Sequence, residues 1–147
     1  MAKPKRTGSD ALGDAAEAPN ANPGRFRYEG LDRILHEQAR LSIMASLITN
    51  PNGLAFGDLR KLCDLTDGNL SRHLDVLQSA GLIEIQKEFR DRKPHTACKL
   101  TPLGSERFQL YIAELARVIK DALPHMPSQS QKALNLPFDL PPGFVTV

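Results

Sequence analysis

A cluster of polar side chains near the middle of the chain has the chemistry needed to recognise nucleic acid. Asn69, Ser71 and Arg72 fall on one side of a segment whose apolar residues recur with a helical period. Amide, hydroxyl and guanidinium groups of this kind hydrogen-bond to base edges and to phosphates. The alternative is an ordinary solvated surface, which is the usual place for an exposed arginine. The neighbouring elements decide between the two.

A second polar group lies about fifteen residues further along. The window from Gln86 to His95 contains two acids and four basic residues, namely Lys87, Arg90, Arg92 and Lys93. Its centre, Phe89 to Pro94, predicts a charged turn. An excess of positive charge in a turn can approach phosphate groups, although basic turns are also common on protein surfaces.

The first cluster requires a helix that presents it outward, and the sequence predicts one over residues 67–80. Thr66 can cap its N-terminus, and Gly81 suits the left-handed residue that commonly follows a helix. The buried face is a stripe of leucines spaced by four and three, namely Leu70, Leu74 and Leu77.

Two helices are predicted before this one. Apolar residues at three- and four-residue steps indicate a helix over 31–48, or two helices with a joint near His36. The Asn50–Gly53 turn ends it. A short supporting helix over 57–63 should follow, with Leu59 and Leu62 facing inward.

The period changes to two after Gly81, which predicts a half-buried strand with Ile83, Ile85 and Phe89 inward and a return strand over residues 95–100. Thr101 and Pro102 then start a long helix. The predicted fold class is mainly α with a small β-hairpin, an α+β arrangement.

The long final helix has a wide apolar stripe that could pack on the first helix of its own chain or on a second subunit. We predict a disordered basic arm over residues 1–27, one domain over 28–123, and a Pro-rich apolar tail over 124–147. The tail contains enough large apolar residues to dock on another surface.

Composition excludes several classes of protein. The chain has 147 residues, a net charge of +2 and two cysteines, Cys63 and Cys98, so it predicts one cytoplasmic domain without a disulfide framework. No apolar run is long enough for a membrane span. Histidines and cysteines lack the spacing of a metal site, and no catalytic motif or cofactor-binding loop occurs.

Five pieces in order resemble winged helix-turn-helix bacterial transcriptional regulators related to the MarR and ArsR groups. The pieces are Leu65–Leu74, Leu77, Gly81–Ile83, the turn Arg90–Pro94 and Leu100–Gly104. The resemblance implies a homodimer on double-stranded DNA, with one helix of each subunit in the major groove. The cysteine pair of ArsR-type metal sensors is missing, since Cys63 has no partner two residues away.

The resemblance also implies roles for individual residues. DNA contacts are expected from Thr66, Asn69, Ser71, Arg72 and His73 of the helix and from Lys87, Arg90, Arg92 and Lys93 of the turn. Dimer contacts are expected from the first and last helices, namely from Leu31, Ile34, Leu35, Phe108, Tyr111, Leu115, Val118 and Ile119.

Two functional hypotheses follow from the sequence. The first is a homodimeric regulator, expected to act as a repressor, that binds a pseudo-palindromic operator. The second is a winged-helix protein-interaction module that docks through its apolar C-terminal tail. The sequence does not identify the operator or the regulated genes. It leaves open a small-molecule or protein effector.

Overall fold

The computed structural model of the protein describes residues 22–133. Most of the expected basic arm and of the expected apolar tail lie outside these residues. Within them no helix has the length and apolar character needed to cross a membrane.

Five α-helices and three β-strands make up the described chain. In order they are α1 (Gln38–Ile48), β1 (Leu54–Ala55), α2 (Phe56–Cys63), α3 (Asp67–Ser79), β2 (Ile83–Arg90), β3 (Lys93–Leu100), α4 (Pro102–Ala122), a 3-10 turn (Leu123–His125) and α5 (Ser128–Ala133). The strands form one antiparallel sheet in the order β1-β3-β2. This architecture confirms the predicted fold class.

The core lies where α1, α3 and the base of the hairpin meet. The predicted leucine stripe of α3 is fully or almost fully buried there, together with residues of α1 such as Ile43, Met44 and Leu47. Ile83 and Cys98 close the core from the hairpin. Burial of each such side chain stabilises the fold by about 1.5–3 kcal/mol, so this cluster fixes the direction in which α3 faces outward.

One close backbone contact joins α4 to the hairpin. A Cβ atom on Gly104, in the first turn of α4, would overlap the carbonyl oxygen of Leu82, so only glycine fits at this position. The Thr101 hydroxyl donates a hydrogen bond to the Gly81 carbonyl at 2.6 Å and accepts one from the Gly104 amide at 2.9 Å. The end of α3, the start of the hairpin and the start of α4 are therefore held together.

The first helix is shorter than predicted. Residues 31–36 form turns, and α1 begins after Glu37, whose carboxylate accepts hydrogen bonds from the amides of Ala39 and Arg40. Leu31, Ile34 and Leu35 still pack on the core. Their three- and four-residue spacing therefore reflects packed turns and not a helix.

Two predicted inward positions are wrong. Leu62 is 62% exposed, because Leu59 and Cys63 at a four-residue spacing form the inner face of α2. Phe89 is 77% exposed, because β2 extends beyond the core after Ile85. Alternation along a strand shows which residues share a face, but not how far the core reaches along it.

The segment before α1 is attached to α4 by ion pairs. The Arg25 guanidinium and the Tyr28 hydroxyl donate to Asp121 at 2.8–3.1 Å and lower the pKa of that carboxyl to about 2. Asp32 is paired with Arg107. Arg25, which the sequence places in the arm, thus contacts the last turns of α4.

Candidate nucleic-acid interface

Both ends of α3 are fixed by local hydrogen bonds. The Thr66 hydroxyl accepts from the Asn69 amide at 3.1 Å, as an N-cap should. At the other end Gly81 has φ +78°, its amide donates to the Gln78 carbonyl, and the Leu82 amide donates to the Leu77 carbonyl. This is the Schellman arrangement, so the sequence predicted both ends correctly.

The outward face of α3 carries the polar side chains that the sequence assigned to recognition. Asn69, Ser71 and Arg72 are exposed. The Arg72 Nη2 atom donates to Asn69 Oδ1 at 3.1 Å, so two of the three side chains interact with each other. The helix therefore presents a small polar surface near its N-terminus, on which the Asn69 side chain holds the Arg72 guanidinium.

A basic residue of α2 neutralises the acid at the start of α3. The Arg60 Nε atom lies 3.1 Å from Asp67 Oδ1 across the turn between the helices. An unpaired carboxylate here would repel phosphate groups, so Arg60 contributes to the surface without belonging to α3. No periodic pattern links these two positions, and sequence reasoning missed the pair.

The structure places His73 at the junction between α3 and the start of α1. Its side chain is only 13% exposed, and Nδ1 accepts a hydrogen bond from Arg40 Nη1 at 3.2 Å. The Glu37 carboxylate lies 3.5 Å from the same nitrogen. His73 therefore joins α3 to the start of α1 and does not face outward with Arg72.

Glu37, Arg40 and His73 form an internal polar cluster. Burial alone would raise the pKa of the Glu37 carboxyl, but hydrogen bonds from the Ala39 and Arg40 amides and the neighbouring Arg40 charge lower it overall. Arg40 also donates from Nε to the Ile34 carbonyl at 2.7 Å. The cluster fixes α3 relative to α1 on the side away from its polar face.

The wing, defined here as residues 86–95, is a β-hairpin with a two-residue turn. Asp91 and Arg92 have φ of 51° and 66°, the consecutive left-handed residues of a type I′ turn. All four basic side chains of the wing are exposed, and Arg90 lies 3.5 Å from Glu88. Phe89 and Pro94 stand opposite each other in the register, both exposed.

The expected dimer residues divide into two sets. Leu35, Phe108 and Tyr111 are buried within their own chain, where they belong to the core. The remaining residues are half-buried, namely Leu31, Ile34, Leu115, Val118 and Ile119. Two further leucines of α4, Leu103 and Leu110, are 45% and 48% exposed, and sequence reasoning did not select them.

Neither cysteine takes part in a cluster of potential metal ligands. Among residues 22–133 there is no group of three His, Cys, Asp or Glu side chains placed to hold a metal ion. Cys98 is buried in β3, and burial raises the pKa of its thiol to about 11. Cys63 is half-buried with Sγ 3.6 Å from the Ser46 hydroxyl.

The fold and the outward polar helix beside a basic hairpin define a winged-helix protein. The family model described as a winged helix DNA-binding domain matches residues 39–119, and the chain belongs to this family. It is 32% identical over 89 residues to the uncharacterized protein MJ0432 of Methanocaldococcus jannaschii, covering 60% of this chain and 96% of that one.

Solved structures are similar as well. A transcriptional regulator homologue from Pyrococcus horikoshii OT3 is 35% identical, with a TM-score of 0.57 over 60% of this chain and 86% of that chain. A MarR-family transcriptional regulator from Silicibacter pomeroyi is 26% identical over 74% of this chain and 75% of that chain, with a TM-score of 0.47. The match to the family model confirms the prediction of a winged helix-turn-helix transcriptional regulator.

Proposed function

We propose that the protein binds a pseudo-palindromic operator as a homodimer and represses transcription from it. The observation that carries this proposal is the outward face of α3, where Asn69, Ser71 and Arg72 are exposed at the N-terminal end of a helix held by its leucines. In helix-turn-helix proteins this end of the second helix contacts base edges in the major groove.

The wing would supply a different kind of contact. Its four basic side chains are exposed on a hairpin whose outer half is not packed on the core, so they can reach phosphates or the minor groove without disturbing α3. Thr66 lies at the N-terminus of α3, where a backbone phosphate is favoured by the helix dipole. Bases would be read by α3 and phosphates bound by the wing.

Two copies would place two α3 helices on successive major grooves, with half-sites about one helical turn apart. The half-buried apolar residues of the segment before α1 and of α4, together with the exposed Leu103 and Leu110, favour an interface built from these elements. The proposed DNA-binding and dimerisation domain spans residues 28–123. A DNA partner would place the protein in the cytoplasm.

A salt titration with purified protein and fluorescent genomic duplexes tests DNA binding. Counterion release makes the affinity fall by about 10³ or more between 50 and 200 mM salt when six or more phosphates are neutralised. A flat response would contradict the proposal and favour a protein-interaction module. Selection of bound genomic fragments would then identify the operator, and a reporter gene downstream would establish repression.

Sedimentation analysis tests the dimer. Leu110→Asp introduces a charge on the exposed apolar face of α4 and should convert the protein to monomers. Leu62→Asp is the matched control, because Leu62 is an exposed leucine on a different helix, 62% exposed against 48% for Leu110. A wild-type protein that sediments as a monomer at micromolar concentration would contradict the dimer proposal.

A further inference from the structure

The hydrogen bond between Arg72 and Asn69 fixes what each side chain can offer to a ligand. A guanidinium has five N–H donors and no acceptor. The partner atom of Asn69 must therefore be its carbonyl oxygen, Oδ1, which accepts from Arg72 Nη2 at 3.1 Å. The Asn69 amide nitrogen, Nδ2, is left on the other side with two donors. Both side chains are exposed, so the remaining donors face outward.

Neither acid of α3, Asp67 or Asp75, forms an ion pair with Arg72 in the part of the chain that the structure describes. Asp67 at the start of α3 is paired with Arg60 at 3.1 Å. The carboxylate at that end of the helix is thus occupied by another guanidinium, and Asn69 is the side chain that Arg72 contacts. At the Arg72–Asn69 pair the outward surface of α3 therefore presents hydrogen-bond donors, because the Oδ1 acceptor of the pair is already in use.

Base pairs differ in what they present to such a surface. In the major groove guanine shows two acceptors, N7 and O6, and thymine shows one acceptor, O4, beside its methyl group. Adenine combines an acceptor with an amino donor, and cytosine shows an amino donor. The usual pairing of asparagine with adenine uses both Oδ1 and Nδ2, and here Oδ1 is engaged by Arg72.

We propose that Asn69 is a positioning residue that holds Arg72 for a bidentate contact with guanine, and that Asn69 Nδ2 donates to the neighbouring base, which is one with a major-groove acceptor and therefore not cytosine. This inference rests on the proposed DNA-binding function and specifies the bases that it selects. The half-site contains a guanine, and the neighbouring position along the groove disfavours cytosine.

Selection from a random duplex library, followed by binding measurements with each of the four bases at the two positions, tests the pair. Wild-type sites should share a guanine preferred over other bases by about 10- to 100-fold, the range expected for one bidentate contact. Arg72→Ala should remove this preference. Asn69→Ala should reduce the guanine preference several-fold, because the guanidinium loses the group that orients it.

Asn69→Asp separates the two roles of Asn69. The aspartate keeps an acceptor for Arg72, so the guanine preference should persist, while the removal of the Nδ2 donors should turn the neighbouring preference toward cytosine, whose amino group can donate to the carboxylate. Preference ratios are compared, because the added charge lowers affinity for every duplex. Gln78→Ala, on the exposed surface near the other end of α3, is the control and should leave both preferences unchanged.

Two results would overturn the inference alone: salt-dependent binding without a shared guanine, or Asn69→Ala with the guanine preference intact. A cytosine selected by the wild-type protein at the neighbouring position would do the same for the role of Nδ2. The absence of salt-dependent binding to any duplex would overturn the proposed function as well, so the two failures are distinguishable.

Discussion

The helix α3 and the wing carry the two halves of the proposed DNA surface, but they differ in how extensively each is packed on the rest of the chain. α3 is capped at both ends, buries Leu70, Leu74 and Leu77, and is joined to α1 through His73. The outer half of the wing has no buried side chain, and its turn uses two non-glycine residues with positive φ.

This difference in packing corresponds to the different contacts proposed for the two regions. A base contact depends on donor positions to within a fraction of an ångström, so its helix must be rigid. A phosphate contact through a lysine or arginine depends mainly on charge and tolerates a less constrained backbone. Stability is therefore expected to be concentrated in α3, and salt-dependent affinity in the wing.

The largest expected effect is on stability, from Leu74→Ala in α3. The side chain is 3% exposed, and its removal should lower the free energy of unfolding by about 2–5 kcal/mol through reduced burial and the remaining cavity. Urea denaturation followed by circular dichroism measures this. Lys87→Ala in the wing is the comparison and should change stability by less than about 0.5 kcal/mol. Equal losses in the free energy of unfolding for Leu74→Ala and Lys87→Ala would contradict the expected concentration of stability in α3.

A smaller loss is expected from Thr66→Ala, which removes the N-cap of α3. The Asn69 amide loses its acceptor, and stability should fall by about 1 kcal/mol. Ser71→Ala is the matched control, since Ser71 is an exposed hydroxyl residue of the same helix. If both variants unfold at the same urea concentration as wild type, the cap does not stabilise α3.

The smallest effect on stability is expected from Phe89→Ser at the outer half of the wing. An aromatic residue that is 77% exposed contributes little burial, so the free energy of unfolding should change by less than about 0.5 kcal/mol. Ile83→Ser, on the same face but 2% exposed, should be strongly destabilising. A large loss from Phe89→Ser in the same denaturation assay would show that the wing is packed after all.

Local sequence signals predicted the elements that these experiments probe. The leucine stripe, the Thr66 cap, Gly81 and the Thr101–Pro102 start each act within a few residues, and each is found where the sequence placed it. Such features depend on helical period, on side-chain to backbone hydrogen bonds and on backbone conformation, all of which are readable along the chain.

Contacts between distant segments were not readable in this way. His73 lies next to outward residues in sequence, yet it contacts Arg40 of α1, 33 residues away. The Arg60 and Asp67 pair crosses a turn, and the exposure of Phe89 depends on where the core ends. Each of these depends on tertiary packing, for which residue type and spacing carry no signal.

The salt dependence of DNA affinity for two single variants tests the central division between base reading and phosphate binding. Arg72→Gln should lose affinity for the selected operator and keep the wild-type salt slope on random duplex, since its proposed contact is to a base. Arg92→Gln should weaken both duplexes alike and reduce the slope by about 1 for each phosphate that is no longer neutralised. Indistinguishable behaviour of the two variants on both duplexes would contradict the division of roles.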